Sequence, residues 1–467
     1  MSATVPAGVP PAIPPATPIV PGHSGVSGLR RTRIAMGYSA ATAACFAFLA
    51  AIPVGRPIWD AMWAEDGTIF YRDAVTQAWP GVIFRPYGGY MHLAPRLIAG
   101  VATLVPISAV PIVFTGAAIL VRALIAVFVY RASSTQLPAP VYRLVAAGAV
   151  ILVPAGETYD NVANLHWYLI AGAFWAALWR PMSRAGAAIA AVVVIAAVGS
   201  DPLTLAVAPV VLLRAVTLRA GSPGLGRHRV VAIAFAAAAT MQLIVVTSAS
   251  HTHRTSYAWH QIPAIVAARV VVPFATGRDL AGQIVGHTSQ TALLLIALGI
   301  IVVICWPALR AGGSARYLVL AVLVVDAALL AAAWRNSAGL LAHPVTDLSG
   351  NSRYIVTATI LLAGALAGSL STFHGRAVQL RQPVFALLST GLMCYGMLFG
   401  QPLATARPGP DWRTEVDAAR IRCAAGIGPI AQLTIRPHWG VDVPCSVLNA
   451  PVPPVGYVTP RAGAGPD

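Results

Sequence analysis

Two adjacent carboxylates, Glu65 and Asp66, open the segment AEDGTIFYRDA a few residues beyond the first long apolar run. At the level of the lipid headgroups a carboxylate can take a proton from an attacking hydroxyl, or hold a divalent cation through hard oxygen ligands. On that chemistry Asp66 is the candidate catalytic base, Glu65 its partner, and both are candidate ligands for Mg or Mn. The wider stretch from Trp59 to Arg96 gathers Asp60, Asp73, Arg72, Arg85 and Arg96 with aromatic residues, between two apolar runs. The plainer alternative is a solvated acidic pair that ends a helix.

Other groups of the right type lie in later loops. PAGETYDNVANLHWYL supplies Asp160 and His166, candidates for a pocket rim on the acceptor side, followed by Trp167 and Tyr168, which read as interfacial anchors. The loop after Ser248 carries HTHRTSYAWHQ and then Arg269 and Arg278, and Arg353 follows in GNSRY. Guanidinium forks pair bidentately with phosphate oxygens, so these arginines are candidate holders of a phosphate carried on a lipid. Headgroup contacts, or loop salt bridges with Asp279 or Asp347, are the competing explanation. Asp326 in VLVVDAALL is a carboxylate inside an apolar run, where it acts as a functional group or as glue between helices. Arg122 is expected to snorkel to the cytoplasmic surface.

The elements that must position these groups are membrane helices. Hydrophobic residues make up 57% of the chain, charged residues 10%, and mean hydropathy is +0.72, well outside the range of a soluble domain. The formal charge of +16 is carried by arginine, with no lysine in the sequence. It gathers in loops between apolar runs and not on a soluble basic face, which argues against a nucleic-acid partner. Residues 1–33, rich in Pro, Ala and Gly, read as a disordered cytoplasmic tail. Apolar runs at 34–54, 107–130, 144–154, 167–179, 185–199, 202–213, 230–248, 291–306, 317–333, 355–372 and 383–399 give about 11 transmembrane helices. Leu97 to Pro106, bounded by prolines, reads as a helix lying on the membrane surface. The positive-inside rule then puts the loops holding Arg131, Arg180, Arg214, Arg310 and Arg376 in the cytoplasm. Loop 55–106 and the segment 401–467 fall outside, and 34–400 is the membrane core. The tail alternates between a helical pattern (DWRTEVDAARIRCAAG) and strand alternation (QLTIRPHWGVDVPC), a small outer α/β segment in which Cys423 and Cys445 can pair. Cys45, Cys305 and Cys394 lie in apolar runs as small core residues.

This layout resembles the GT-C superfamily of membrane glycosyltransferases. AEDGTIFYRDA is similar to the segment that begins Asp-Glu in aminoarabinose transferases and protein O-mannosyltransferases, with the order here reversed to Glu65 then Asp66. YMHLAPRLI is similar to their His-Pro-Pro-Leu element, although Leu93 and Ala94 separate His92 from Pro95. On that likeness His92, with Arg96 in the same element, is a substrate-binding candidate. The resemblance covers the first 130 residues and the general layout. It implies an all-α polytopic enzyme of a bacterial plasma membrane, N-terminus cytoplasmic and C-terminus outside. Such an enzyme moves a hexosyl or pentosyl unit from a polyprenyl-phosphate-linked sugar donor to a glycan, lipid or protein acceptor. The rival readings are a transporter or flippase of lipid-linked sugars, or a non-catalytic envelope assembly protein.

Overall fold

Apolar segments satisfy their backbone polar groups internally by closing helices, and among the described residues they do so nearly throughout. The computed structural model describes residues 59–77, 81–153, 158, 161–217, 225–248, 259–341, 352–373, 409–437 and 439–450. Its main helices are α1 (Leu93–Ala102), α2 (Val110–Ala132), α3 (Pro140–Leu152), α4 (His166–Leu178), α5 (Arg184–Ser200) and α6 (Ala208–Thr217). They continue as α7 (Leu225–Ser248), α8 (Arg278–His287), α9 (Gln290–Ala311), α10 (Gly313–Leu341), α11 (Val356–Leu370) and α12 (Trp412–Ala424).

Among the described residues five helical stretches are long and apolar enough to cross a membrane: Ile107–Thr135, Leu225–Ser248, Gln290–Ala311, Gly313–Ala333 and Arg353–Leu370. Five shorter apolar stretches, including α1, α3 and α5, accompany them. The expected spans at 34–54 and 383–399 lie outside the described residues. Large apolar side chains point outward from several helices, among them Val216 at 82%, Ile233 at 67% and Val303 at 75% exposure. Such a surface is costly in water and natural against lipid.

Helix α4 is buried along its whole length, as a helix apolar on all sides must be, and α2, α5, α6 and α11 pack around it. The chain turns at the end of α4, where Ser183 caps α5 by accepting from the Gly186 N–H at 3.0 Å. It then runs back to Asp201, which caps the next turn, Pro202–Val207, by accepting from the Leu203 N–H at 2.7 Å. His166 and Asp201 therefore stand at one end of the core, and residues 179–184 at the other.

The tail segment folds as α12 followed by an antiparallel pair, β1 (Ile430–Ile435) and β2 (Trp439–Pro444), and Cys423 is disulfide-bonded to Cys445. The alternating burial of β1 turns Ala431, Leu433 and Ile435 inward. This unit grips the first loop. The Ala64 N–H donates to the Arg436 carbonyl (2.7 Å) and the Arg436 N–H to the Met62 carbonyl (3.1 Å). Trp412, 1% exposed, donates its ring N–H to the Ile107 carbonyl at 2.7 Å.

Three sequence expectations are corrected. The proline-bounded surface helix begins four residues earlier, at Leu93, and contains Pro95, because proline is tolerated in a first turn where its missing N–H has no partner to lose. Arg122 does not snorkel: it is 1% exposed, donates to the Ile151 carbonyl at 2.6 Å and covers the Tyr168 ring. The orphan carbonyls that end α3 supply the negative partner that lipid headgroups were expected to supply. Trp167 and Tyr168 are not interfacial anchors but core residues, 2% and 1% exposed.

Candidate functional site

The site is built around the turn that leads into α4. Asn161 Oδ1 accepts from the Asn164 N–H at 3.0 Å and folds this turn so that two further N–H groups point the same way. Both meet Asp66: Val162 N–H donates to Oδ2 at 3.0 Å and Ala163 N–H to Oδ1 at 2.7 Å. Asp66 is 2% exposed, and its carboxylate is held by two N–H groups of the turn just ahead of α4. It begins a π-helical segment, Asp66–Tyr71, a widened turn of the kind found at functional sites. Glu65, the residue before it on the same turn, is half-buried and accepts no hydrogen bond from a described residue.

The same turn orients His166. The Ala163 carbonyl can only accept, so His166 Nδ1 carries the proton that bridges the 2.9 Å between them. Nε2 then faces Asp201 Oδ2 at 3.2 Å, and one proton must sit between them, on the carboxyl or on the ring. Both partners are buried, at 7% and 3% exposure. Burial pushes Asp201 up to about 7. Burial, assisted by His92 and Arg353, pushes His166 down to about 3. In either protonation arrangement the pair holds a single proton across that range.

The sequence YGGY closes a two-residue hairpin, with Gly88 and Gly89 at φ of 59° and 85°. Both positions need the left-handed region that a type I′ turn demands. The turn sets Tyr87 and Tyr90 opposite each other, Tyr87 N–H to Tyr90 carbonyl at 2.9 Å. His92 stacks on Tyr90 at 4.2 Å between centroids and donates Nδ1–H to its carbonyl at 3.2 Å. Burial holds His92 near 3, so it is uncharged at neutral pH. Burial also raises the Tyr87 hydroxyl, on which the charges of Glu65 and Arg353 act in opposite senses. Tyr90 lies within reach of Asp201, Tyr354 and Arg353. Arg353 sits over the Tyr354 ring at 5.2 Å, and Tyr354 packs edge-on to Trp167 at 5.5 Å.

Glu65, His92, His166 and Arg353, drawn from four separate segments, thus converge on one locality. Arg96 is 1% exposed and its guanidinium is engaged by Asp73 at 2.7 Å, with Arg72 and Arg85 on the other Asp73 oxygen at 3.2 and 3.4 Å. Arg269 is buried in a second π-turn, Ala267–Val271. Arg278 starts α8, and Asp160 lies outside the described residues. Tyr87, Tyr90, Asp201 and Tyr354 are the members that sequence reasoning missed. The YGGY turn was a usable signal for the first two, and Asp201 before Pro202 reads locally as a helix cap, which it also is.

A shallow apolar cleft adjoins this locality, lined by Ile262, Ile265, Val266, Val270, Leu330 and Tyr354 among others. Tyr354 belongs to both, one face on the apolar cleft and its neighbour Arg353 in the polar cluster. As for a divalent cation, the fit is poor. Glu65 and Asp66 are adjacent on one helical turn and do not face a common point. Both Asp66 oxygens receive N–H donors, and among the described residues no three His, Cys, Asp or Glu side chains converge.

Comparisons of this chain with protein-family models, with curated proteins and with solved structures returned no match.

Proposed function

We propose that this protein is a membrane glycosyltransferase that moves a sugar from a polyprenyl-phosphate carrier to a hydroxyl of an envelope polysaccharide, lipid or protein on the outer face. The observation that carries the reading is the meeting of an apolar cleft with a polar, charged cluster at Tyr354 and Arg353. An isoprenoid chain suits the cleft, and its phosphate would lie against the Arg353 guanidinium. Glu65 takes the role of base, because its carboxylate is accessible and uncommitted to any described donor. Asp66 takes the positioning role, because both its oxygens bind the turn before α4. The acceptor oxygen forms the new bond to the anomeric carbon and gives its proton to Glu65. The bond from that carbon to the phosphate oxygen breaks, and the phosphate leaves with its charge met by Arg353. His166 and Asp201, with both ring nitrogens engaged, orient the site and do not touch the substrate.

The test uses the full chain in lipid nanodiscs with polyprenyl-phosphate-linked sugars and a glycan acceptor, following release of polyprenyl phosphate. Glu65→Gln is expected to lower turnover by roughly 10²–10⁴-fold with the carrier still bound. Full turnover by that variant would end the assignment. Asp326 favours transport as a second reading, since it lies within α10 with one carboxylate oxygen enclosed and unbonded. Carrier flux without transfer, abolished by Asp326→Asn, would establish that instead.

A further inference from the structure

The end of the core remote from the candidate site holds a second polar cluster. Arg214 on α6 is 6% exposed, and its Nε and one terminal nitrogen are enclosed without a hydrogen-bond partner. His228 on α7 is 2% exposed and faces no acceptor but the Trp179 carbonyl, and the Tyr317 hydroxyl on α10 is enclosed and unbonded. Helix α6 packs against α4, α7 and α10, which brings the three together. Arg180, in the turn after α4, adds its charge to both Arg214 and His228. Among the described residues no carboxylate pairs with Arg180, Arg214 or Arg227, and Arg227 donates only to the Pro181 carbonyl, at 3.5 Å.

A guanidinium enclosed without an acceptor is among the most costly arrangements in a protein interior. Arginine can only donate, and tyrosine and histidine can donate as well, so this pocket gathers several donors around an excess of positive charge with no carboxylate among the described residues to balance it. An anion with several oxygens resolves all of it at once, and a phosphate group matches the guanidinium fork. We infer that Arg214, His228, Tyr317 and Arg180 form a binding site for a phosphate group at the end of the bundle opposite the candidate active site. Helix α4 alone separates the two ends by ~20 Å, at 1.5 Å per residue, so the site is distinct and does not depend on the glycosyltransferase reading. A phospholipid headgroup and a soluble phosphate share this chemistry. Basic pockets between membrane helices commonly receive the former.

The experiment takes the full chain, delipidated in an uncharged detergent, and follows its thermal midpoint by tryptophan fluorescence. One arm titrates inorganic phosphate against sodium chloride at equal ionic strength. The other titrates short-chain phosphatidic acid against phosphatidylcholine of the same chain length. At least one phosphate probe should raise the midpoint saturably where its control does not. Stabilisation by phosphatidic acid alone identifies a lipid headgroup, and stabilisation by both identifies a site open to soluble phosphate. Arg214→Gln should weaken the apparent affinity by roughly tenfold or more, whereas Arg413→Gln, at an exposed position of the C-terminal unit, should leave it unchanged. If Arg214→Gln does not fold, His228→Gln combined with Tyr317→Phe takes its place. Absence of saturable stabilisation by either probe, or an unchanged titration in the Arg214 or double variant, overturns the site.

Discussion

Single residues in this protein are legible through what their hydrogen bonds oblige them to be. Asp66 faces two N–H groups, so Asp66→Asn turns one accepting oxygen into a donor against a buried donor. The cost of such an orphaned N–H is ~1–3 kcal/mol, and a lowered thermal midpoint at neutral pH is the expected result. An unchanged midpoint would mean that the turn before α4 does not rely on this carboxylate. The buried ionisable groups set a pH dependence whose sign can be worked out. In the folded chain the His166–Asp201 pair keeps one proton between about pH 3 and about 7. Unfolded, the same two residues hold one proton between ordinary values of ~3.9 and ~6.5, so over that interval they cancel. His92, held near 3 by burial, stays uncharged in the fold while the unfolded chain protonates it below ~6.5. The unfolded state binds more protons, so stability rises with pH up to that point, by roughly 1.4 kcal/mol per unit at most. His92→Gln should flatten thermal midpoints between pH 4.5 and 6.5. Asp201→Asn, which removes the opposing carboxyl, should steepen them. A His92→Gln protein that keeps the slope of the parent would refute the assignment.

Elements join these residues through contacts that no local pattern announces. The alternation in QLTIRPHWGVDVPC was enough to read strands, and the structure shows them, because half-buried strands carry a period of two wherever they occur. That the end of β1 would pair with Met62 and Ala64, at the far end of the sequence, was not readable, since backbone pairing leaves no mark on residue type. Tyr87, Tyr90 and Tyr354 escaped notice for a related reason: aromatic residues near membrane helices read first as anchors. Conversely, the chemistry of Glu65, His92, His166 and Arg353 marked them individually, while only the fold brings them together. Because the C-terminal unit grips the first loop, its integrity should govern the backbone just ahead of Glu65. The Cys423–Cys445 link closes 22 residues, and constraining a loop of that length contributes about 3 kcal/mol through the unfolded chain. Cys423→Ser with Cys445→Ser is expected to speed amide hydrogen exchange in β1 and β2, and with it exchange across 60–67. Faster exchange in the strands with no change at Ala64 would show that the unit is not a platform for the first loop.

At the scale of the whole molecule the two ends differ in charge. Asp66, Asp73, Asp201 and, in the C-terminal unit, Asp411 all connect to the end of α4 that carries His166. Gln136 donates to the Leu178 carbonyl at the opposite end, which places the Arg131, Arg143 and Arg180 turns there with Arg184 and Arg214. Composition alone identified an apolar helical chain. The proposed function requires the arginine-rich end to be cytoplasmic, as the positive-inside rule predicts, and the candidate site to lie outside, where a lipid-borne sugar and a soluble hydroxyl can meet. The separation is testable on exposed positions. Arg85 has 47% of its side chain exposed at the site end, and Arg184 is exposed at the other. With Cys45, Cys305 and Cys394 replaced and the disulfide kept, Arg85→Cys should react with a membrane-impermeant maleimide on intact cells, and Arg184→Cys only after permeabilisation. The reverse pattern would put the carboxylates and Arg353 on the cytosolic side, away from any outward-facing acceptor, and the glycosyltransferase proposal would fall with it. Equal reactivity of both positions in intact cells would place the two ends on one side of the membrane and remove the topological basis of the proposal.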